Sequence, residues 1–285
     1  MLEEILKDKG VNLKLTMLEV GAIPLGSDAK EPFHHFLTTF PGSRVIAFEV
    51  DKEECDRLNK IAPPGIEFHA QALGRAEETR DFYVAAAPMC SSLYPPNQEY
   101  CDLFHSLGEL VRTTKKIKID TVSLDHFAHS AGISNVDFIK IDIQGAELEF
   151  FQGGQKTLQN VVAIVTEVEF EPIYVGQPLY EDVTVYLRAE GFSFHKFLGV
   201  AGRALKPIVY NNNVNAPQQH LWTDAVYVRN LMTLDRLSDE QLFKLALLME
   251  TYGSFDLTHF ALSHIDKRRK SDFAATYLKR ATTPK

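Results

Sequence analysis

Val136 to Gly154 read VDFIKIDIQGAELEFFQGG. Apolar residues (Val136, Phe138, Ile139, Ile141) lead to an acid at Asp142; Gly145 follows, and Ala146, Glu147 and Leu148 open a helical pattern. A strand buried on both faces is a short, nearly continuous apolar run, and open α/β sheets build their sites at the C-terminal ends of such strands. The stretch therefore predicts a parallel strand that carries a carboxylate to the sheet edge and hands the chain to a helix.

Outward from this unit the same alternation repeats. Thr16–Val20 is a short apolar strand running into Gly21, with Pro24 and Gly26 in the turn and a helical stretch around 31–40. Arg44–Val50 is a second strand, and the helix 52–61 after it is stopped by Pro63-Pro64-Gly65. Residues 66–73 predict a third strand, 79–85 a short edge strand, 117–124 another, and 161–170 a strongly apolar one. Residues 86–109, with Pro88, Ser91, Ser92, Pro95 and Pro96, predict a lid with a helical end. Strands at 192–198 and 225–228 have no helix between them, which predicts an antiparallel hairpin at one edge. The expected fold is α/β: a mostly parallel seven-stranded sheet of the Rossmann-like kind with an antiparallel terminal hairpin. After Asn230 the chain reads as a helical tail, opened by a capping box of Ser238 and Gln241 before the apolar run 242–249. Packing, or contact with a second copy of the chain as a homo-oligomer, is its expected role.

The bulk composition narrows the function. The chain has 285 residues, 45% hydrophobic and 24% charged, enough to bury a proper core. Its net charge of −8 argues against a broad nucleic-acid surface. Cys55, Cys90 and Cys101 form no CxxC pair and leave an odd count, which suits a reducing compartment. The start, MLEEILKDKG, lacks the basic and apolar regions of a signal peptide, and no apolar run is long enough to span a bilayer. The expectation is a soluble cytoplasmic protein with no nucleic-acid or membrane partner.

Chemistry-bearing residues gather at the strand ends. Gly21 and Gly26 let backbone approach a ligand after the first strand, and Glu19 could hold an ammonium or a hydroxyl. Glu49, ending the second strand, could accept both hydroxyls of a ribose. Gln71 and Ala72, closing the third, leave room for a flat base. No GxGxxG and no GK[ST] is present, so a pyrophosphate cradle is absent. Period-two alternation puts Glu167 and Glu169 on one face, where with Asp142 they could ligate a divalent ion; a metal-free polar lining is the favoured reading. No HExxH or GxSxG motif occurs.

The segment KIDIQGAELE at 140–149 is similar to the signature of the FkbM-type methyltransferases. The likeness extends from about Met17 to Arg229 through Ser91-Ser92-Leu93, Val122-Ser123-Leu124-Asp125, Glu167-Val168-Glu169-Phe170, Pro172-Ile173-Tyr174, Gly191-Phe192 and Asp224-Ala225-Val226-Tyr227. It implies a class I methyltransferase fold over residues 1–230, with 231–285 as a helical extension, and methyl transfer from S-adenosylmethionine to a hydroxyl of a small molecule or carbohydrate. On that reading Glu19, Gly21, Gly26, Glu49, Gln71, Ala72 and Asp142 hold the cofactor, and Asp142 is the catalytic residue. Ser91, Ser92, Glu169 and Tyr174, with Tyr94 and the loop 211–213, meet the acceptor. The first loop departs from the family pattern at Glu19, at Ile23 and in its glycine spacing. Two alternatives stay open: a nicotinamide-dependent oxidoreductase, and a binding module on the same fold without turnover.

Overall fold

The computed structural model describes residues 1–21, 31–216 and 219–282. Its strands are β1 (Thr16–Val20), β2 (Arg44–Glu49), β3 (Ile66–Ala70), β4 (Ala72–Gly74), β5 (Glu78–Ala85), β6 (Thr113–Ser123), β7 (Phe138–Ile141), β8 (Ala163–Glu169), β9 (Phe192–Phe197), β10 (Ala201–Arg203) and β11 (Gln219–Arg229). The main sheet runs β3-β2-β1-β7-β8-β11, and β9 and β10 share the far side of β11 as a seventh position. From β3 to β8 all pairs are parallel; β11 is antiparallel to β8, β9 and β10. This is the class I methyltransferase-like α/β fold, with the antiparallel ending expected from the missing crossover helix. The strand order reverses between β1 and β7, which opens a crevice at the end of β1.

Each face of the sheet has its own core. On one, Leu18, Ile139, Ile141, Ile164 and Tyr227 pack with Phe127, Phe150, Phe151, Val183 and Leu187 from helices Leu124–Ser130, Glu147–Gln152 and Tyr180–Ala189. On the other, Met17, Val45, Phe138, Val165 and Val226 meet Phe33, Phe36 and the helices Leu2–Asp8, Asp239–Thr251, Phe255–Arg269 and Phe273–Thr282. The alternation Phe138-Ile139-Lys140-Ile141 thus splits its residues between two layers, as a pleat requires.

The tail is built into this second layer. Every residue from Leu242 to Met249 is buried, so the helix is covered all round. Ser238 and Gln241 cap it reciprocally, at 3.1 and 3.0 Å. Of the basic run 267–270, Arg268 and Arg269 pair with Asp239. No described helix is long and apolar enough to cross a membrane.

Three boundaries differ from expectation. The third strand ends at Ala70, where the Gln71 N–H turns back to the His69 carbonyl; Ala72–Gly74 then joins a separate sheet, β4-β6-β5. The helix after Asp142 breaks at Gly153-Gly154, because a Cβ on Gly153 would lie 2.3 Å from the Gly74 carbonyl oxygen. The last strand is longer than its apolar run, since its first half pairs with β10 outside the apolar core. The lid forms its own small core of Cys101, Phe104, Leu107 and Val111 against Ile173, Tyr174 and Leu221.

Candidate active site

The site begins where β1 and β7 end side by side. The Asp142 N–H donates to the Val20 carbonyl at 3.0 Å, and the Gly21 N–H donates to Phe48 at 3.2 Å. Gly21 has φ +80°, and a Cβ there would stand 1.8 Å from the Asp142 carbonyl oxygen. Only glycine allows the two strand ends to close at this spacing.

Below this edge, on the face covered by the tail, charges are paired. Glu19 and Lys140 are register partners on β1 and β7. Glu19 meets His34 Nε2 at 2.7 Å, and Lys140 donates to Asp224 on β11 at 3.0 Å. Burial alone would lower the Lys140 ammonium pKa; Asp142 and Asp224 outweigh it and hold the group above its ordinary value. Burial raises Glu31, which faces Lys140, Glu19 and His34. The Tyr252 hydroxyl, from the tail, is buried without a partner among the described residues and faces Glu31, Asp224 and Glu19.

The turn after Asp142 organises the acceptor side. Gln144 takes a left-handed backbone, φ +57°, uncommon for a residue with a side chain. Its Nε2 donates to Asp142 Oδ1 at 2.8 Å and to Glu167 Oε2 at 2.5 Å. Its Oε1 accepts from the Tyr174 hydroxyl at 2.8 Å, and its main-chain oxygen accepts from Ser92 at 2.6 Å. The lid, the end of β7 and β8 are thereby tied to one residue. Glu147 closes the turn from within, accepting the N–H groups of Ile143 at 2.8 Å and Gly145 at 2.9 Å. It is more than a helix-start residue: it satisfies two donors that the tight turn leaves open.

Burial raises three carboxyls here above their ordinary value. Burial, opposed by the two N–H groups and reinforced by Asp142, pushes Glu147 up to about 7. Glu167 lies well above the ordinary range through burial, then the charges of Asp142 and Glu169. Glu169, 2% exposed, is raised by burial, then by Glu147 and Asp142. Among the described residues no three His, Cys, Asp or Glu side chains are arranged to hold a metal ion.

The structure brings Asp142, Ser92, Glu169 and Tyr174 together and leaves other expected residues around the rim. Glu49 is buried at the end of β2, accepting the Asp51 N–H at 2.7 Å, and burial raises its pKa. Gln71 sits in the turn between sheets, and Ala72 starts β4. The Ser91 hydroxyl accepts from the Ala85 N–H at 3.1 Å. Tyr94 does not turn to the acceptor: its hydroxyl donates to Glu149, which also binds Arg80 at 2.7 Å, so it pins the lid to the helix 147–152. Gly26 and Ile23 lie outside the described residues. Residue reading overlooked Lys140, Gln144 and Gln177, whose carbonyl accepts the Tyr174 N–H at 2.5 Å. For Lys140 a signal existed: two residues before Asp142, it shares that residue's face of the strand.

These groups suit S-adenosylmethionine better than a pyrophosphate cofactor. The close contact at Gly21 brings the ends of β1 and β7 together at one edge, where a ligand can meet both. The buried acid at Glu49 suits a ribose diol, and an edge rich in carboxylates suits a sulfonium cation and offers nothing to a phosphate.

A family model described as the methyltransferase FkbM domain matches residues 20–194, more than half of the chain. The chain is similar to the 2-O-methyltransferase NoeI of Sinorhizobium fredii (strain NBRC 101917 / NGR234), with 26% identity over 161 residues, covering 53% of this chain and 63% of that protein. It thus spans less than two thirds of that relative's length. Among solved structures it is similar to magnesium protoporphyrin IX methyltransferase from Synechocystis PCC 6803 with bound SAM. That match has 11% identity and a TM-score of 0.37, and covers 80% of this chain and 76% of the other.

Proposed function

The chain belongs to the FkbM methyltransferase family, and on that premise we propose that it methylates a hydroxyl of a small molecule or sugar, using S-adenosylmethionine. The observation that carries this reading is the Gln144 clamp, which sets Asp142 and Glu167 side by side at the sheet edge under a lid latched by Ser92. A hydroxyl acceptor must be aligned, kept from water and relieved of its proton. Asp142 orients the hydroxyl and receives that proton, while Gln144 fixes its carboxylate. Tyr174 and Ser92 hold the lid down over them. Glu49 takes the ribose hydroxyls, Gly21 lets main chain approach, and Glu19, steadied by His34, faces the aminoacyl end. S-adenosylmethionine, when bound, supplies an electrophilic methyl on a positive sulfur. The name of the Sinorhizobium relative, a 2-O-methyltransferase, supports oxygen as the acceptor atom.

Calorimetric titration with S-adenosylmethionine and S-adenosylhomocysteine, with NAD and NADP as controls, tests the cofactor. Saturable binding of the first pair alone is expected. Binding of NAD alone would return the nicotinamide reading, and cofactor binding without methyl transfer to any hydroxyl panel would favour a binding module.

A further inference from the structure

Arg203, the last residue of β10, is a cation for which the described residues supply no anion. Its guanidinium lies over Trp222, 4.9 Å from the ring centroid. One terminal N–H donates to the carbonyl of its neighbour Gly202 at 2.9 Å. Its Nε is sealed from solvent and has no hydrogen-bond partner among the described residues. Burial lowers its pKa, and the ionisable group it faces is the Cys90 thiol. A sealed N–H without an acceptor costs free energy, while the rest of this half-buried guanidinium can still meet an incoming anion.

Its position explains what that acceptor could be. Trp222, under the guanidinium, is the register partner of Glu169 on β8 and of Ala201 on β10, while Arg203 itself pairs with Gln219; it is the stacking on Trp222 that brings Arg203 beside the row carrying the acceptor-side acid. Cys90 packs with Trp222 against the core that holds Tyr174, and the charges of Asp142 and Arg203 both act on its thiol. The Cys90 carbonyl accepts from the Tyr174 hydroxyl at 2.9 Å, and Tyr174 holds Gln144. Trp222 packs against the same small core as Tyr174, so Arg203, stacked on Trp222, neighbours the clamp. Stacking on Trp222 leaves the flat fork of donors in a fixed plane, the geometry that matches two oxygens of a carboxylate or phosphate.

We propose that Arg203 binds an anionic oxygen group on the methyl acceptor, so that hydroxylated acids or acidic sugars are selected over their neutral analogues. This rests on the methyltransferase reading above and adds the class of acceptor. The acids around Asp142 would repel such a group from the reacting end, and Arg203 would draw it to the other. The molecule is thus oriented by charge before any hydroxyl is chosen.

The test uses the whole chain saturated with S-adenosylhomocysteine and compares matched probes by calorimetry: glucuronate and glucose 6-phosphate against glucose, and 4-hydroxybenzoate against 4-hydroxybenzyl alcohol. At least one anion should bind about tenfold tighter than its neutral partner, a ratio worth one decade in Kd. The pair that responds separates carboxylate from phosphate. Trp222 is the chain's single tryptophan, so its emission should shift with the same anions. Arg203→Gln should abolish the preference and the emission change and leave S-adenosylhomocysteine affinity intact; Arg203→Lys should keep part of the preference. Should Arg203→Gln fail to fold, a weakened preference in Arg203→Lys carries the same result. No preference in any pair, or one that survives both substitutions, overturns the proposal and leaves Arg203 as a packing residue on Trp222. Failure of S-adenosylhomocysteine to bind at all would instead bring down the methyltransferase reading itself.

Discussion

Two groups of carboxylates share one face of the sheet, and their surroundings are opposite. Beneath β1 and β7, Glu19 meets His34 and Asp224 meets Lys140, each acid with a nitrogen partner within 3.0 Å. Beyond the ends of β7 and β8, Glu167 and Glu169 face Asp142 and Glu147, and the side chains set against them are the neutral amides Gln144 and Gln177. The first arrangement holds charge in place and costs little to keep at any pH where both partners are charged. The second crowds buried carboxyls together without a cation, which raises their pKa values and leaves room for a positive group to relieve them. The scaffold is electrostatically closed, and the reacting side is left open.

The contrast can be broken most severely at Asp142. Asp142→Asn preserves shape and the Gln144 contact but removes the proton acceptor, and methyl transfer should fall by about 10²–10⁴-fold with little change in melting temperature. Transfer of a labelled methyl group measures this, and undiminished turnover would remove Asp142 from the chemistry.

Lys140→Met probes the closed region. It strands Asp224 and Glu31 without their cation. Because Asp224 is partly exposed, the cost should be about 2–4 kcal/mol, somewhat below that of a fully buried broken pair. Urea unfolding at pH 8 measures it, and an unchanged midpoint would show that the pairing is idle.

Glu167→Gln sharpens the comparison through pH. A carboxyl whose folded pKa lies above its ordinary 4.5 favours the folded state below that value and costs stability as pH climbs towards the folded value. The amide stays neutral throughout, so the variant should melt above the parent near pH 8 and level with it near pH 4.5. Each kcal/mol recovered should raise the midpoint by about 2–4 °C. A gain independent of pH would mean that packing, not protonation, separates the two side chains.

Much of the scaffold could be read from residue order, for physical reasons that also explain the failures. Val136–Asp142 was legible because burial on both faces demands a continuous apolar run, and Ser238 with Gln241 because a cap is a local event. The third strand was read too long, since nothing in IEFHAQALG marks the point where Gln71 leaves one sheet for another. Asp142 and the same-face pair Glu167 and Glu169 could be placed at the site by alternation alone. The partners that define their chemistry could not. Lys140 reaches an acid 84 residues away across β8, and Gln144 acts through a left-handed backbone that no neighbouring residue announces. Arg203 lies on a three-residue strand in a polar stretch, where periodicity has nothing to measure.

The last-made helices cover the face built by β1, β2 and β7, and this has a consequence for synthesis. A chain emerging from the ribosome completes all its sheet strands with β11, and helices 147–152 and 180–189 are by then ready to shield one side. The other side, with Met17, Val45, Phe138, Val165 and Val226, waits for residues 239–282. In that interval the nascent protein carries a finished sheet with one apolar face covered only in part, by Phe33, Phe36 and the helix Leu2–Asp8, the kind of surface that recruits chaperones or sticks to its neighbours. Messages truncated after β11 should therefore yield insoluble product, even though every residue assigned to chemistry has already been made.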